Sequence, residues 1–320
     1  MRELTMPASA YPIELTAPDI SGYTGNTDIP YVTQYDSGRP GPHLLIVAST
    51  HGNELCGALT LDFLFKHDIR PTRGILSLGF ANVAAFQRFD AREPDASRFV
   101  DEDFNRLWDL ATLDGLRQST ELTRARRMRP LIDRVDFLLD LHSMQHATPP
   151  LALCGLAAKG RHLAAAVGVP ATVVIDGGHA AGRRMRDYAA FADAASPKAA
   201  LLVECGQHWE RASATVALES ALRFLKAFDM LDAAGLKHLP AAAPPPQRVI
   251  EVTEAVTVKA DRFEFNQRFI GLEVIPVGGT VIGTDGDRPV ATPYDNCVLI
   301  MPSRRLTRGQ TAVRLGRFVA

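Results

Sequence analysis

From about residue 43 to residue 231 the chain alternates strand-length apolar runs with stretches of helical period, and after residue 248 the period falls to two. The runs 44–50, 75–80, 137–141, 172–175 and 199–203 read as strands. Helices are expected between and after them at about 53–66, 114–128, 157–167 and 209–231. Leu55, Leu59, Phe63 and Leu64 recur at helical spacing in the first, and Leu218, Leu222, Leu225 and Phe228 form a buried stripe in the last. The second helix is expected to end before Pro130, whose ring removes a donor and crowds the preceding turn. Residues 1–40 read as short strands and turns, with 31–35 extended ahead of the breaker run Ser37-Gly38-Arg39-Pro40-Gly41-Pro42, and 86–108 reads as a charged, solvated loop. This order predicts an α/β fold, a mixed, mostly parallel sheet with flanking helices, over residues 1–240. The Ala/Pro-rich stretch 241–247 is then a linker. Beyond it Ile250, Val252, Val256 and Val258 alternate with Glu251, Thr253, Ala255 and Thr257, opening a small C-terminal β-domain over 248–320.

Three of the strands run apolar and then stop at a side chain able to bind metal or carry a proton: 44–50 into His51, 137–141 into His142, and 201–203 into Glu204. In open α/β sheets functional groups gather at the carboxyl edge of the strands, where loops vary over a rigid scaffold. His51 and Glu54, three apart, and His142, 88 positions after Glu54, make a His/Glu/His set. Three protein ligands with a fourth position open is how catalytic zinc is held, so one zinc per chain is expected. Glu204 ends a separate apolar strand, where a low dielectric holds a carboxyl pKa up, and is the candidate general base. Arg98 or Arg106 in the charged loop supplies a fixed cation for a developing oxyanion. Asp140 reads either as an orienter of the His142 imidazole or as a strand-edge polar residue. His146, four residues after His142 on a non-helical loop, is left out of the ligand set. His43, His67, His162 and His238 show no partner pattern and read as surface or packing residues.

Composition narrows the function classes. The 320 residues are 46% hydrophobic and 22% charged with net charge −1, a soluble globular balance with no basic stripe interleaved with aromatics, which sets nucleic acid aside. The segment 1–18 predicts neither a signal peptide nor a membrane span. Cys56, Cys154, Cys205 and Cys297 are widely spaced and form no CxxC, so a reducing cytoplasm is expected. Cys205 faces away from Glu204 on an extended strand and reads as a packed thiol. No GxSxG elbow, Walker loop or GxGxxG after a strand occurs, and serine hydrolase, NTPase and dinucleotide readings lose their usual support.

Four motifs, taken together and in order, resemble the succinylglutamate desuccinylase/aspartoacylase family, a branch of the zinc carboxypeptidase fold: Ser49-Thr50-His51-Gly52-Asn53-Glu54, Asp101-Glu102-Asp103-Phe104-Asn105-Arg106, Asp140-Leu141-His142 and Val203-Glu204-Cys205-Gly206. The resemblance implies an amidohydrolase that cleaves a small N-acyl amino acid to a carboxylate and a free amine. At the matching positions it implies His51, Glu54 and His142 as zinc ligands and Glu204 as general base. It implies Arg98 as the arginine that polarises the scissile carbonyl, and Asn105 with Arg106 as the pair that binds a substrate carboxylate, for which a guanidinium fork is suited. Phe104 stands where the family usually has Leu. Members acting on acidic amino acids carry an arginine ahead of the catalytic glutamate where this chain has Ala194, so the resemblance does not carry N-acetylaspartate with it. Arg183, Arg184 and Arg186 read equally as replacements or as solvated, and Tyr294 is the candidate for a tyrosine the family contributes from its C-terminal domain. Two other readings stand: a metallocarboxypeptidase, whose rates would be confined to peptides, and a metal-binding protein without activity. The acyl group, the amine, the physiological metal and a homo-oligomeric state stay open.

Overall fold

The computed structural model describes residues 11–178 and 181–319, so the first ten residues of the expected N-terminal strands and turns lie outside it. The strands of the first two thirds are β1 (Val32–Asp36), β2 (His43–Ala48), β3 (Ile75–Phe80), β4 (Phe137–Met144), β5 (Leu151–Cys154), β6 (Thr172–Ile175) and β7 (Ala199–Gln207). Those of the last third are β8 (Arg248–Thr257), β9 (Phe263–Phe265), β10 (Val274–Ile275), β11 (Val281–Asp285), β12 (Arg288–Ala291), β13 (Cys297–Ile300) and β14 (Thr311–Val319).

Eleven of them form one sheet in the order β1-β3-β2-β4-β7-β5-β6-β8-β14-β13-β10, and β12-β11-β9 form a second, three-stranded sheet. β3, β2, β4 and β7 run parallel, β1 closes that edge antiparallel, and direction reverses between β7 and β5. The architecture is mixed α/β, as the alternation of periods predicts. The sheet is continuous past the Ala/Pro stretch, because β8 pairs in parallel with β6 from Thr172↔Arg248 to Ile175↔Glu251 and in turn carries β14.

Period-two alternation sorts the strand residues between two cores. Leu44, Ile46, Leu139, Leu141, Leu201 and Val203 pack against helices Leu55–Lys66, Ala158–Val167 and Arg211–Ala227 on one face. Leu45, Val47, Leu138 and Ala200 pack on the other face against helix Thr120–Arg134, Phe104 and Trp108. Cys205 belongs to the first core and so faces away from Glu204, as alternation requires.

The structure departs from the sequence reading in three places. The second helix does not stop at Pro130. It starts later, capped by Ser119 Oγ accepting from the Leu122 backbone N–H, and runs through the proline to Arg134. An interior proline costs about 3 kcal/mol, and burial of Leu122, Ala125, Met128, Leu131 and Ile132 along one face offsets it. β4 and β7 run past His142 and Glu204, so these two side chains sit inside strands. The segment 86–108 is not solvated throughout: Phe104 and Trp108 are fully buried, and two short 3₁₀ turns fold it over the sheet.

Candidate active site

β2 delivers the chain to Ser49, whose φ of 57° turns it out of the strand, and the helix Leu55–Lys66 begins one residue after Glu54. Glu54 occupies the N-cap position without capping, so its carboxylate is free to turn to the two imidazoles. His51 Nδ1 stands 2.7 Å from Glu54 Oε1 and His142 Nδ1 stands 2.9 Å from Oε2. One donor atom from each of the three residues lies within 4.8 Å of the others, and all three residues are buried. Two imidazole nitrogens and a carboxylate oxygen at this spacing fit a divalent ion of zinc type. Burial opposes ionisation of Glu54, but the two imidazoles outweigh it and hold the carboxyl well below its usual range.

The far ring nitrogens are engaged as well. His142 Nε2 lies 2.9 Å from Asp140 Oδ2, and His51 Nε2 lies 3.0 Å from Asp103 Oδ1. Carboxylates on the outer nitrogens of metal-binding imidazoles fix ring orientation and raise basicity. Asp140 stands beside the His142 ring, its Oδ1 accepting from Thr50 Oγ1 at 2.9 Å and its Oδ2 near Nε2 without an aligned hydrogen bond. Asp103 had no role assigned, although it lies inside the Asp101–Arg106 motif.

Gly52 makes the turn possible. A Cβ there would lie 2.3 Å from Ser97 O and 2.6 Å from Ala85 O, because the 97–98 loop closes on it and its N–H donates to Arg98 O at 3.1 Å. Gly52→Ala is therefore expected to lower stability in denaturant titration by about 1–3 kcal/mol, the range for forced overpacking, and to weaken metal binding by displacing His51. Unchanged stability would show that the loop yields freely.

Glu204 on β7 is directly opposite His142 in the β4–β7 register. It is 6% exposed and its Oε2 has no hydrogen-bond partner among the described residues. Burial, with repulsion from Glu54, pushes its pKa up to about 8 against the pull of His142, Arg184 and Arg98. His142, Glu54 and Glu204 line one cavity of about 390 Å³.

The charged loop supplies one wall of that cavity. Arg98 reaches Glu54 Oε1 at 3.3 Å and Asp103 Oδ2 at 3.1 Å. Asn105 is fixed by accepting from the Met185 backbone N–H at 2.9 Å, and its Nδ2 comes within 3.5 Å of His142 Nε2. Arg106 donates to Asn105 O at 2.7 Å, and burial pulls its pKa down to about 10. All seven residues singled out in the sequence, His51, Glu54, Arg98, Asn105, Arg106, His142 and Glu204, line this cavity.

Other candidates divide. Of the three upstream arginines only Arg184 lines the cavity; Arg186 is buried against Asp187 and the Asp176 carbonyl, and Arg183 is exposed. Tyr294 is not among the lining residues, and its hydroxyl pairs with Thr253 Oγ1 at 2.6 Å. His146 lines the cavity outside the His/Glu/His group. Among the lining residues that the sequence leaves without a reading are His208, Arg305 and Arg314. His208 hydrogen-bonds Ser143 Oγ through Nδ1 at 2.9 Å and is kept neutral by burial, its pKa pulled down to about 3. Arg305 and Arg314 come from the chain after β13, and the 301–310 loop that follows β13 contributes to the lining of the cavity.

The catalytic-domain profile of the succinylglutamate desuccinylase/aspartoacylase family matches residues 40–238. No curated protein matches the sequence. Solved structures are similar over most of the chain. The succinylglutamate desuccinylase from Vibrio cholerae is similar with a TM-score of 0.65 and 19% identity over 90% of this chain and 85% of that one. The product-bound ectoine utilization protein from Ruegeria pomeroyi gives 0.59 and 19% over 90% and 88%. Murine aminoacylase 3 gives 0.58 and 20% over 88% and 96%. At these identities the likeness is one of fold. No helix among the described residues is long and apolar enough to cross a membrane.

Proposed function

Because the chain belongs to the succinylglutamate desuccinylase/aspartoacylase family of amide-hydrolysing enzymes, we propose that it is a zinc-dependent amidohydrolase cleaving a small N-acyl amino acid or a related amide. The observation that carries this reading is Glu204, buried and without a hydrogen-bond partner among the described residues, opposite His142 in register and in one cavity with the His51/Glu54/His142 group. A binding site alone has no use for such a carboxylate.

In this reading His51, Glu54 and His142 would hold the ion, which when bound would supply Lewis acidity toward water and the scissile carbonyl. Glu204 takes the proton of the attacking water and returns it to the departing nitrogen. Arg98 offers a fixed guanidinium to the developing oxyanion. Asn105 and Arg106 hold the α-carboxylate of the amino acid half and fix its orientation. Asp103 and Asp140 keep both imidazoles aimed. Residues 1–240 form the catalytic part, 241–247 the connection, and 248–320 a β-rich part that contributes residues to the cavity lining.

The size of the cavity favours this reading over a carboxypeptidase, since about 390 Å³, lined in part by the 301–310 loop, suits a small acyl group better than a peptide chain. The test is metal content on purified protein with amine release from N-acetyl, N-formyl and N-succinyl amino acids set against dipeptides. About one zinc per chain with turnover of an N-acyl amino acid is expected. Rates confined to peptides would transfer the protein to the carboxypeptidases, and zinc with no turnover of either class would leave a metal-binding protein.

A further inference from the structure

Four residues after Glu204, just beyond the last of the four motifs, the chain places an imidazole that has no part in the hydrolysis described so far. His208 lines the catalytic cavity, is 1% exposed, and its Nε2 has no hydrogen-bond partner among the described residues. It is fixed on two sides: its backbone N–H donates to Met144 O at 2.9 Å, and its Nδ1 stands 2.9 Å from Ser143 Oγ. Ser143 is itself 4% exposed, and its hydroxyl makes no other hydrogen bond among the described residues. A buried hydroxyl without another acceptor gives its proton to Nδ1, because withholding it would strand a donor. The ring proton then sits on Nε2, the atom without a partner. Burial keeps this imidazole uncharged, its pKa pulled down to about 3. The cavity wall thus holds a neutral N–H donor for which the described residues supply no acceptor.

Its place relative to the reaction follows from His142. The Nε2 edge of that ring faces Asn105 Nδ2 at 3.5 Å, and the Nδ1 edge faces Glu54 Oε2 at 2.9 Å. The same Oε2 accepts from the Ser143 backbone N–H at 3.1 Å, and Ser143 Oγ in turn meets His208. Asn105 and His208 therefore stand off opposite edges of one imidazole. The surrounding charges agree: those acting on His208 are Glu54, Arg98, His51 and Arg305, and those acting on Arg106 are Asp103, Arg184, Arg98 and Glu204. A substrate whose α-carboxylate is held at Asn105 and Arg106, with its amide at the ion site, extends its acyl half toward His208. We propose that His208 Nε2 donates to an uncharged oxygen of the acyl group, beyond the scissile carbonyl, and so selects N-acyl amino acids with an oxygen-bearing acyl chain over those with a plain alkyl one. The inference rests on the amidohydrolase reading and deepens it by specifying the acyl half. A donor stranded in a buried wall penalises an alkyl chain, and a site built to hydrogen-bond an oxygen strongly rejects the analogue that lacks it.

The test uses the full-length, metal-loaded protein and acyl pairs that exchange one methylene for one oxygen: N-butyrylalanine against N-methoxyacetylalanine, and N-pentanoylalanine against N-(3-methoxypropanoyl)alanine. His208→Asn keeps an amide near the Nδ1 position for Ser143 and removes the donor at Nε2, whereas His208→Gln keeps a donor near Nε2. For at least one pair, the parent's preference for the ether in kcat/KM is expected to exceed that of His208→Asn by about tenfold or more, the effect of a satisfied against a stranded donor. His208→Gln is expected within about threefold of the parent, and metal content equal in all three. Intrinsic reactivity of each acyl group and chelation by the ion are common to parent and variant and cancel in this ratio. A ratio that is the same in parent and His208→Asn, with both members of a pair slowed together, would put His208 at the scissile carbonyl or in structure and overturn the proposal. Equal loss of the ratio in both variants would overturn it too, as would failure of both to fold. The same ratio is read without turnover from calorimetric binding of the four free acids, butyrate, methoxyacetate, pentanoate and 3-methoxypropanoate. If no N-acyl amino acid is turned over while the His208-dependent ether preference in binding stands, the amidohydrolase reading fails and the oxygen-recognising site survives.

Discussion

Replacing Glu204 with Gln is expected to lower kcat by ~10²-fold or more while leaving bound metal at the level of the parent. The substitution keeps shape and removes only the ability to take a proton, and Glu204 is not one of the three residues grouped around the candidate ion site. Its carboxylate has no hydrogen-bond partner at Oε2 among the described residues, so the amide is accommodated without breaking a network there. The same residue sets a pH dependence. Burial and Glu54 raise its pKa to about 8, so the proton-accepting form is the minor one below that value and the major one above it. The parent's kcat/KM is therefore expected to climb with pH and level off, with the bend at or below about pH 8, because a bound dication stabilises the carboxylate and moves the bend down. The Gln variant's residual rate should lack that bend. A variant as active as the parent would remove Glu204 from the mechanism.

His142→Ala is expected to reduce metal from about one per chain to a small fraction of that, measured by elemental analysis after dialysis. The substitution removes one of three donors, and the remaining pair lacks the set that holds a catalytic zinc. It also takes from Asp140, which is 0% exposed, the ring nitrogen 2.9 Å from its Oδ2, an atom that has no hydrogen-bond partner among the described residues, and leaves Thr50 Oγ1 donating to Oδ1 at 2.9 Å. With its neighbouring imidazole gone the buried carboxylate is less well compensated, and stability is expected to fall by about 1–3 kcal/mol. Full metal occupancy in this variant would take His142 off the list of ligands.

The metal group was legible in the sequence because each member carries a local signal: His51 and Glu54 sit in the turn between a strand and a helix, and His142 and Glu204 interrupt apolar runs. Strand pairing then made the distances, since the β4–β7 register alone decides that His142 and Glu204 are opposite each other. What escaped reading depends on register between distant segments. Arg314 is a single charge in the run Thr311-Ala312-Val313-Arg314-Leu315, and nothing in that run foretells that pairing of β14 with β8 brings it, buried, to the cavity wall. β5 is only four residues long and follows Pro149 and Pro150, too short for periodicity to separate it from a loop. At Pro130 local propensity predicts a stop, and packing of the helix face prevails over it. Arg184 could not be told from Arg183 and Arg186, since three arginines in a loop differ only in the direction the fold gives each.

The unbroken hydrogen-bond ladder from β7 through β5, β6 and β8 to β14 bears on how molecules enter and leave. Enzymes whose two halves meet across a cleft open by swinging one half about a hinge. Here the wall bearing Arg314 and the wall bearing Glu204 are strands of one sheet, so separating them would require tearing β8 from β6 along four paired residues on each strand. Exchange is then expected through the loops beside the sheet, 301–310 among them, with the paired strands holding the two walls at one spacing. A fixed gauge of this kind discriminates by the length of the molecule spanning it, which makes chain length, more than bulk at the periphery, the property to vary first when substrates are sought.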